Sequence, residues 1–168
     1  MNQQSYVKLE KFYKNHQKIK KFIIFLNRFI TAFVYVSYPL FLLLVYLEKG
    51  FGFMLPFVAT PFAVLVGVST FRYTFNAQRP YERYEFSPIY EKKTKGKSFP
   101  SRHVTSAFII SFMILNFNVY AGVAYLVVST VLAVVRVLAG VHFIKDVVTG
   151  ALFSTLVYIA FCFIQMYS

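Results

Sequence analysis

Charged and titratable side chains embedded in apolar sequence are costly at membrane depth, so each one points to chemistry. Three such clusters occur in this chain. The first runs from Arg72 to Pro80, Arg-Tyr-Thr-Phe-Asn-Ala-Gln-Arg-Pro. A guanidinium stays charged at any physiological pH, and its planar fork matches phosphate. Seven residues is two helical turns, so Arg72 and Arg79 share a face for as long as the helix lasts. Pro80 pushes Arg79 out of helical geometry and marks the helix end. The second cluster is Pro100-Ser101-Arg102-His103. Pro and Ser favour a helix start, whose free amides and dipole bind anions. Ser101 can donate to a phosphoryl oxygen, and His103 can give up a proton near neutral pH. The third is Arg136-Val-Leu-Ala-Gly-Val-His142-Phe-Ile-Lys-Asp146. If helical, His142 and Asp146 share a face four residues apart. The carboxylate then keeps one ring nitrogen protonated and leaves the other as nucleophile or base.

Taken singly, each cluster has a plainer explanation: interfacial arginines at a helix end, a helix cap, or residues marking a membrane boundary. Together they make an inventory for phosphoryl transfer through a phosphohistidine without a metal. A phosphate gaining charge in the transition state needs fixed cations, and the sequence has arginines where a magnesium or zinc site would need clustered carboxylates. No cofactor is expected. Cys162 has no cysteine partner for a disulfide or a metal site, and His16 falls in a basic tail.

At these residues the chain resembles the type 2 phosphatidic acid phosphatase family, membrane lipid phosphatases related to vanadium haloperoxidases. The family pattern is K-x6-R-P, then P-S-G-H, then S-R-x5-H-x3-D. This chain has R-x6-R-P (Arg72 to Pro80), P-S-R-H (Pro100 to His103) and V-R-x5-H-x3-D (Val135 to Asp146), with order and internal spacings kept. The resemblance implies that His142 attacks phosphorus, that Asp146 orients it, and that His103 protonates the leaving group. Arg72, Arg79, Ser101 and Arg136 would bind the phosphoryl oxygens. Three residues depart from the pattern: Arg72 stands for lysine, Arg102 for glycine and Val135 for serine. Arg102 adds a cation suited to a diphosphate, or to a second phosphate on the substrate, and so joins the expected phosphate-binding set. The implied activity is removal of phosphate from a lipid monoester or diphosphate, such as phosphatidate, phosphatidylglycerophosphate or undecaprenyl diphosphate. Two rivals share these residues: a lipid phosphotransferase, and a non-catalytic protein that binds anionic lipids through its arginines.

The elements that must position these residues are membrane helices. Of 168 residues, 58% are hydrophobic, 20% aromatic and only 14% charged, too apolar for a soluble domain. There are 18 Lys+Arg against 6 Asp+Glu, a net +12, but most of the basic residues fall outside the long apolar runs. Their expected partners are therefore lipid head groups and a lipid phosphate, not nucleic acid. Five segments approach the roughly 20 apolar residues that a hydrocarbon core requires: 22–47, 51–71, 101–118, 119–139 and 147–166. The expected fold is all-α, a multi-pass bundle of about five transmembrane helices. Pro39 should bend the first span without ending it, and Asn116 to Asn118 read as an interfacial turn. Residues 1–21 form a basic segment, either an amphipathic surface helix or a disordered tail, and residues 22–168 form the membrane domain. The active-site loop, 72–103, includes Lys92, Lys93, Lys95 and Lys97. Five spans put the tail, this loop and the 139–147 connection on one side. The positive-inside rule makes that side cytoplasmic, whereas the family habit implies a site outside the cytoplasm and, in many members, a sixth span.

Overall fold

The computed structural model describes residues 2–84, 86–89 and 94–167. Lys92 and Lys93 of the expected loop lie outside the described residues. Every regular element among those described is helical: α1 (Gln3–Asn15), α2 (Gln17–Lys49), α3 (Phe51–Phe75), α4 (Pro80–Arg83), α5 (Arg102–Phe117), α6 (Val119–Leu138) and α7 (Ile144–Tyr167). Of these, α2, α3, α6 and α7 are long and apolar enough to cross a bilayer, and α5 is a shorter apolar helix.

These four helices and the shorter α5 fall on the five expected segments, with ends set by local chemistry. α2 runs through Pro39 unbroken. α3 stops at Asn76, which takes the left-handed conformation at φ 39° that ends helices. Pro80 then opens the short α4, so Arg72 and Arg79 do not share a helix face. Ser101 stands at the start of α5. Asn118 turns the chain between α5 and α6 and caps α6 by accepting from the Ala121 amide at 2.9 Å. Gly122 makes that hairpin possible, since a Cβ there would lie 2.2 Å from the Leu115 backbone.

Phe22, Leu40, Leu47, Phe62, Leu156 and Ile164 are all more than half exposed on the outer faces of the spans, as expected where the solvent is hydrocarbon. Burial concentrates on α5, which packs against α6, α7 and α3. With lipid outside, apolar burial gives helices little reason to associate, so close approach and buried hydroxyl contacts matter more. Ser111 and Ser129 meet at 2.9 Å between α5 and α6. Ser154 of α7 donates to the Thr105 carbonyl of α5 at 2.8 Å. A core of Val45, Phe57, Val64, Val68, Ile109, Met113 and Phe161 joins α2, α3, α5 and α7.

The basic segment is helical and lies against the bundle. Leu9 and Tyr13 of α1 pack with Ile89, Ala139 and Val141, and the Tyr13 hydroxyl donates to the Leu138 carbonyl at 3.4 Å. Tyr6 is fully buried and stacks on Phe86 with centroids 4.9 Å apart. The Ile89 amide donates to the Ala139 carbonyl at 3.3 Å. The amino-terminal helix, the loop after α3 and the α6–α7 turn thus meet at one end of the bundle.

Candidate active site

The α6–α7 turn sets the position of His142. α6 ends at Leu138, and Gly140 takes φ 72°, a conformation that disfavours a side chain. A Cβ at Gly140 would also come within 2.7 Å of the Phe86 ring. The chain therefore reverses tightly, and His142 precedes α7 without being part of it. Asp146 lies in the first turn of that helix. The expected pairing of His142 with Asp146 is present, but through a turn in place of a shared helical face. Asp146 Oδ2 accepts from the Phe143 amide at 3.0 Å and lies 3.4 Å from His142 Nδ1. His142 is 1% exposed and Asp146 is fully buried.

With Asp146 accepting, the proton is assigned to His142 Nδ1, and Nε2 keeps its lone pair. Burial pushes the histidine pKa down to about 4. The hydrogen bond to Asp146 opposes that shift, and the positive charges of Arg79 and Arg136 add to it. A neutral imidazole with a free Nε2 is the form a nucleophile requires.

Ser98 was not among the expected residues, yet it belongs here. It is completely buried. Its hydroxyl donates to Asp146 Oδ2 at 2.5 Å and lies 3.5 Å from His142 Nδ1. Forty-eight residues separate Ser98 from Asp146, so only the folding of the loop onto the turn brings them together. The one sequence signal is a hydroxyl two residues ahead of the Pro-Ser pair.

Arg72 and Arg79 tie that loop down. Both are buried. Arg72 donates to the Ser98 carbonyl at 3.3 Å and to that of Pro100. Arg79 Nε donates to the Gly96 carbonyl at 3.0 Å, and Nη1 donates to Val141, next to His142, at 3.2 Å. Glu82 braces the same corner by accepting from the Arg79 amide at 2.7 Å and the Gly96 amide at 2.9 Å. Arg136 is 3% exposed and reaches Thr31 of α2 at 3.5 Å. Three guanidinium groups are thereby fixed about the His142–Asp146 pair, Arg79 and Arg136 acting on the histidine and Arg72 on the carboxylate.

Ser101 completes this half of the site. Its amide donates to the Asp146 carbonyl at 2.9 Å, which locks the start of α5 to the start of α7. Its hydroxyl is buried with no hydrogen-bond partner among the described residues. Leaving a buried hydroxyl unpaired costs about 1–3 kcal/mol, which an incoming anion would relieve. The first amides of α5 likewise have no carbonyl within their own helix.

His103 and Arg102 differ from the rest. They line the polar end of a cavity of about 330 Å³ between α2, α3, α5 and α6. Its walls include Val34, Pro39, Val58, Leu65 and Ile110. Arg102 is exposed and His103 half-buried. Of the eight expected residues, His142, Asp146, Arg72, Arg79, Arg136 and Ser101 are buried or bonded about the α6–α7 turn, and His103 and Arg102 line the cavity.

Comparison with known proteins bears on the fold and the family. No curated protein matches the sequence at a significant level. Among solved structures, the chain is similar to LpxE of Aquifex aeolicus, with a TM-score of 0.70, 22% identity, and 92% of each chain covered. It is also similar to the transmembrane PAP2-type phosphatidylglycerolphosphate phosphatase of Bacillus subtilis, with a TM-score of 0.72 and 14% identity, covering 97% of this chain and 87% of the other. The PAP2 superfamily model matches residues 52–168, a span that contains all three motifs and every helix carrying them. A multi-pass helical membrane protein with those motifs brought to one end of its bundle, this chain belongs to the PAP2 superfamily.

Proposed function

We propose that the protein is a membrane lipid phosphatase that removes a terminal phosphate through a phosphohistidine on His142, without a metal. The observation that carries this reading is the buried His142–Asp146 pair, ringed by fixed arginines, next to a cavity whose walls are apolar and whose polar end holds His103. A phosphorylated lipid has this form, with a charged end for the arginines and a chain for the cavity. The solved relative named as a phosphatidylglycerolphosphate phosphatase supports the same class of substrate.

In the proposed reaction the phosphoryl group sits among Arg72, Arg79, Arg136, the Ser101 hydroxyl and the first amides of α5. These donors are held in advance by the loop carbonyls and by Thr31, so little reorganisation is needed as charge develops. His142 Nε2 attacks phosphorus. Asp146, held by Ser98 and the Phe143 amide, stabilises the ring as it becomes cationic. The bond to the leaving oxygen breaks, and His103 supplies its proton. Water, deprotonated in turn by His103, then cleaves the phosphorus–nitrogen bond, releases inorganic phosphate and restores His142. The groups that converge on phosphate are guanidinium groups, which supply the positive charge this chemistry needs.

Phosphate release from phosphatidate, phosphatidylglycerophosphate and a polyprenyl diphosphate in detergent tests the reading, with His142→Ala as control. Release from at least one lipid that is lost in the variant is the expected result. Equal release by both proteins would contradict it.

A further inference from the structure

The apolar cavity has a definite depth. α2 and α5 start at the end of the bundle that holds the active site, where Ile23 packs with Val141 and the Ser101 amide meets the Asp146 carbonyl. α3 finishes at that end, with Arg72 bonded to the loop. Each helix therefore measures distance from the site along its own axis. The lining runs from Thr31 to Tyr38 on α2, from Leu65 back to Val58 on α3, and from His103 to Ile110 on α5. Each stretch is about two turns, or about 10 Å at 1.5 Å per residue. The cavity thus reaches about a third of the way into a hydrocarbon core of about 30 Å.

Aromatic rings close its far end. The centroids of Phe41, Phe57 and Phe117 lie 5.5 to 6.4 Å from one another, and Tyr38 stacks on Phe41 at 6.2 Å. Pro61 has no amide to donate to the Phe57 carbonyl, the acceptor four residues back in α3. The Tyr38 hydroxyl donates to that carbonyl instead, which ties α2 to α3 across the end of the cavity. A carbonyl freed within a membrane needs such a partner, so the Tyr38 ring is held in one place. The flank is different. Tyr35 of α2 and Phe62 of α3 also line the cavity, and they are 72% and 65% exposed on the lipid side.

We propose that Tyr38 sets how much of the lipid chain the protein holds: about eight carbons next to the phosphate lie in the cavity, and the remainder turns out past Tyr35 and Phe62 into the bilayer. The inference rests on the phosphatase reading above, which puts the phosphate at the polar end. An extended chain advances about 1.2 Å per bond, so about 10 Å takes about eight carbons. Protein walls are close-packed and tolerate little added bulk, whereas bilayer chains move aside. Selectivity along the chain therefore stops at Tyr38.

The test uses hexadecyl phosphate and three positional isomers that carry one cyclohexyl group, at carbon 4, 8 or 12, at equal mole fraction in detergent. The isomers share one composition, so differences in kcat/KM report where the ring lies. Wild type disfavours the carbon-4 and carbon-8 isomers by about five- to a hundredfold, the cost of overfilling a packed site. It hydrolyses the carbon-12 isomer within about twofold of hexadecyl phosphate, less than that cost. Tyr38→Ala removes the ring at the far end and accepts the carbon-8 isomer while still disfavouring the carbon-4 isomer, a change that a general loss of stability would not produce. Equal rates for all isomers, or rejection at carbon 12, overturn the proposal on the wild-type protein alone. Unaltered rejection of the carbon-8 isomer by an active Tyr38→Ala protein overturns the part given to Tyr38. Phosphate release from phosphatidate but not from hexadecyl phosphate also contradicts the proposal, since a phosphate and one chain are all that it requires. Release from none of these lipids, with wild type equal to His142→Ala, refutes the phosphatase reading itself.

Discussion

His142 can serve as a nucleophile because its two ring nitrogens have different surroundings. Nδ1 faces Asp146 and Ser98, and burial keeps the ring neutral. The folded-state pKa is lowered, so the unfolded chain binds the extra proton first. The stability this contributes is fully present above the ordinary histidine value of about 6.5 and is lost as pH falls from there towards about 4. Thermal melts across that window should show a steeper acid loss than melts of His142→Ala, and the acid limb of kcat/KM that reports the free histidine should fall below pH 6.5. Ser98→Ala takes one hydrogen bond from Asp146. It should lower kcat by about ten- to a hundredfold and change KM less, since Ser98 holds the carboxylate and does not touch substrate. An unchanged kcat would leave Ser98 with only a structural role. The pairing of His142 with Asp146 and the grouping of the arginines near it were legible in the sequence, because residue type and spacing point to them. Ser98 was not, because its place depends on a contact made across 48 residues, to which local spacing is blind.

At the scale of elements, α1 is the part that sequence left most open. Its apolar residues recur at helical spacing, but whether they meet a membrane, water or protein depends on what the rest of the chain presents. The structure supplies an apolar surface on the α6–α7 turn and the loop beside it. Tyr6 stacks on Phe86 and meets Phe143 edge-on with centroids 6.2 Å apart. Its hydroxyl is buried without a hydrogen-bond partner among the described residues, and burial raises its pKa to about 12, with Asp146 adding to the shift. The phenol thus stays neutral. Tyr6→Phe removes an unpaired buried hydroxyl and should hold or raise the melting temperature. Tyr6→Ala removes the ring and should cost about 3–5 kcal/mol of local stability, with a fall in kcat because the turn under it carries His142. Retained kcat in a folded Tyr6→Ala protein would show that α1 covers the site without supporting it. The placement of His142 in a turn was also beyond the sequence pattern, since a spacing of four fits a helix as well as a tight reversal led by Gly140.

Over the whole molecule, five apolar helices and a long basic loop were readable from composition and segment length, and the structure has the same five in the same order. Their packing around the shortest, α5, was not readable, because it depends on contacts such as Ser111 with Ser129 and Gly122 with Leu115. The fold brings every cationic group of the three motifs to one end, and this convergence underlies the claim of metal-free chemistry. Phosphate release should accordingly survive exhaustive treatment with a chelator, and restoration of lost activity by added magnesium or zinc would contradict that part of the account. The most direct measurement is to quench the reaction within a turnover, using a lipid substrate radiolabelled at its terminal phosphorus, and to look for label on the protein. The account predicts a phosphoprotein that is labile to acid and stable to base, present in the wild type and absent from His142→Ala. Phosphate release with no labelled protein, or label that persists in His142→Ala, would contradict it.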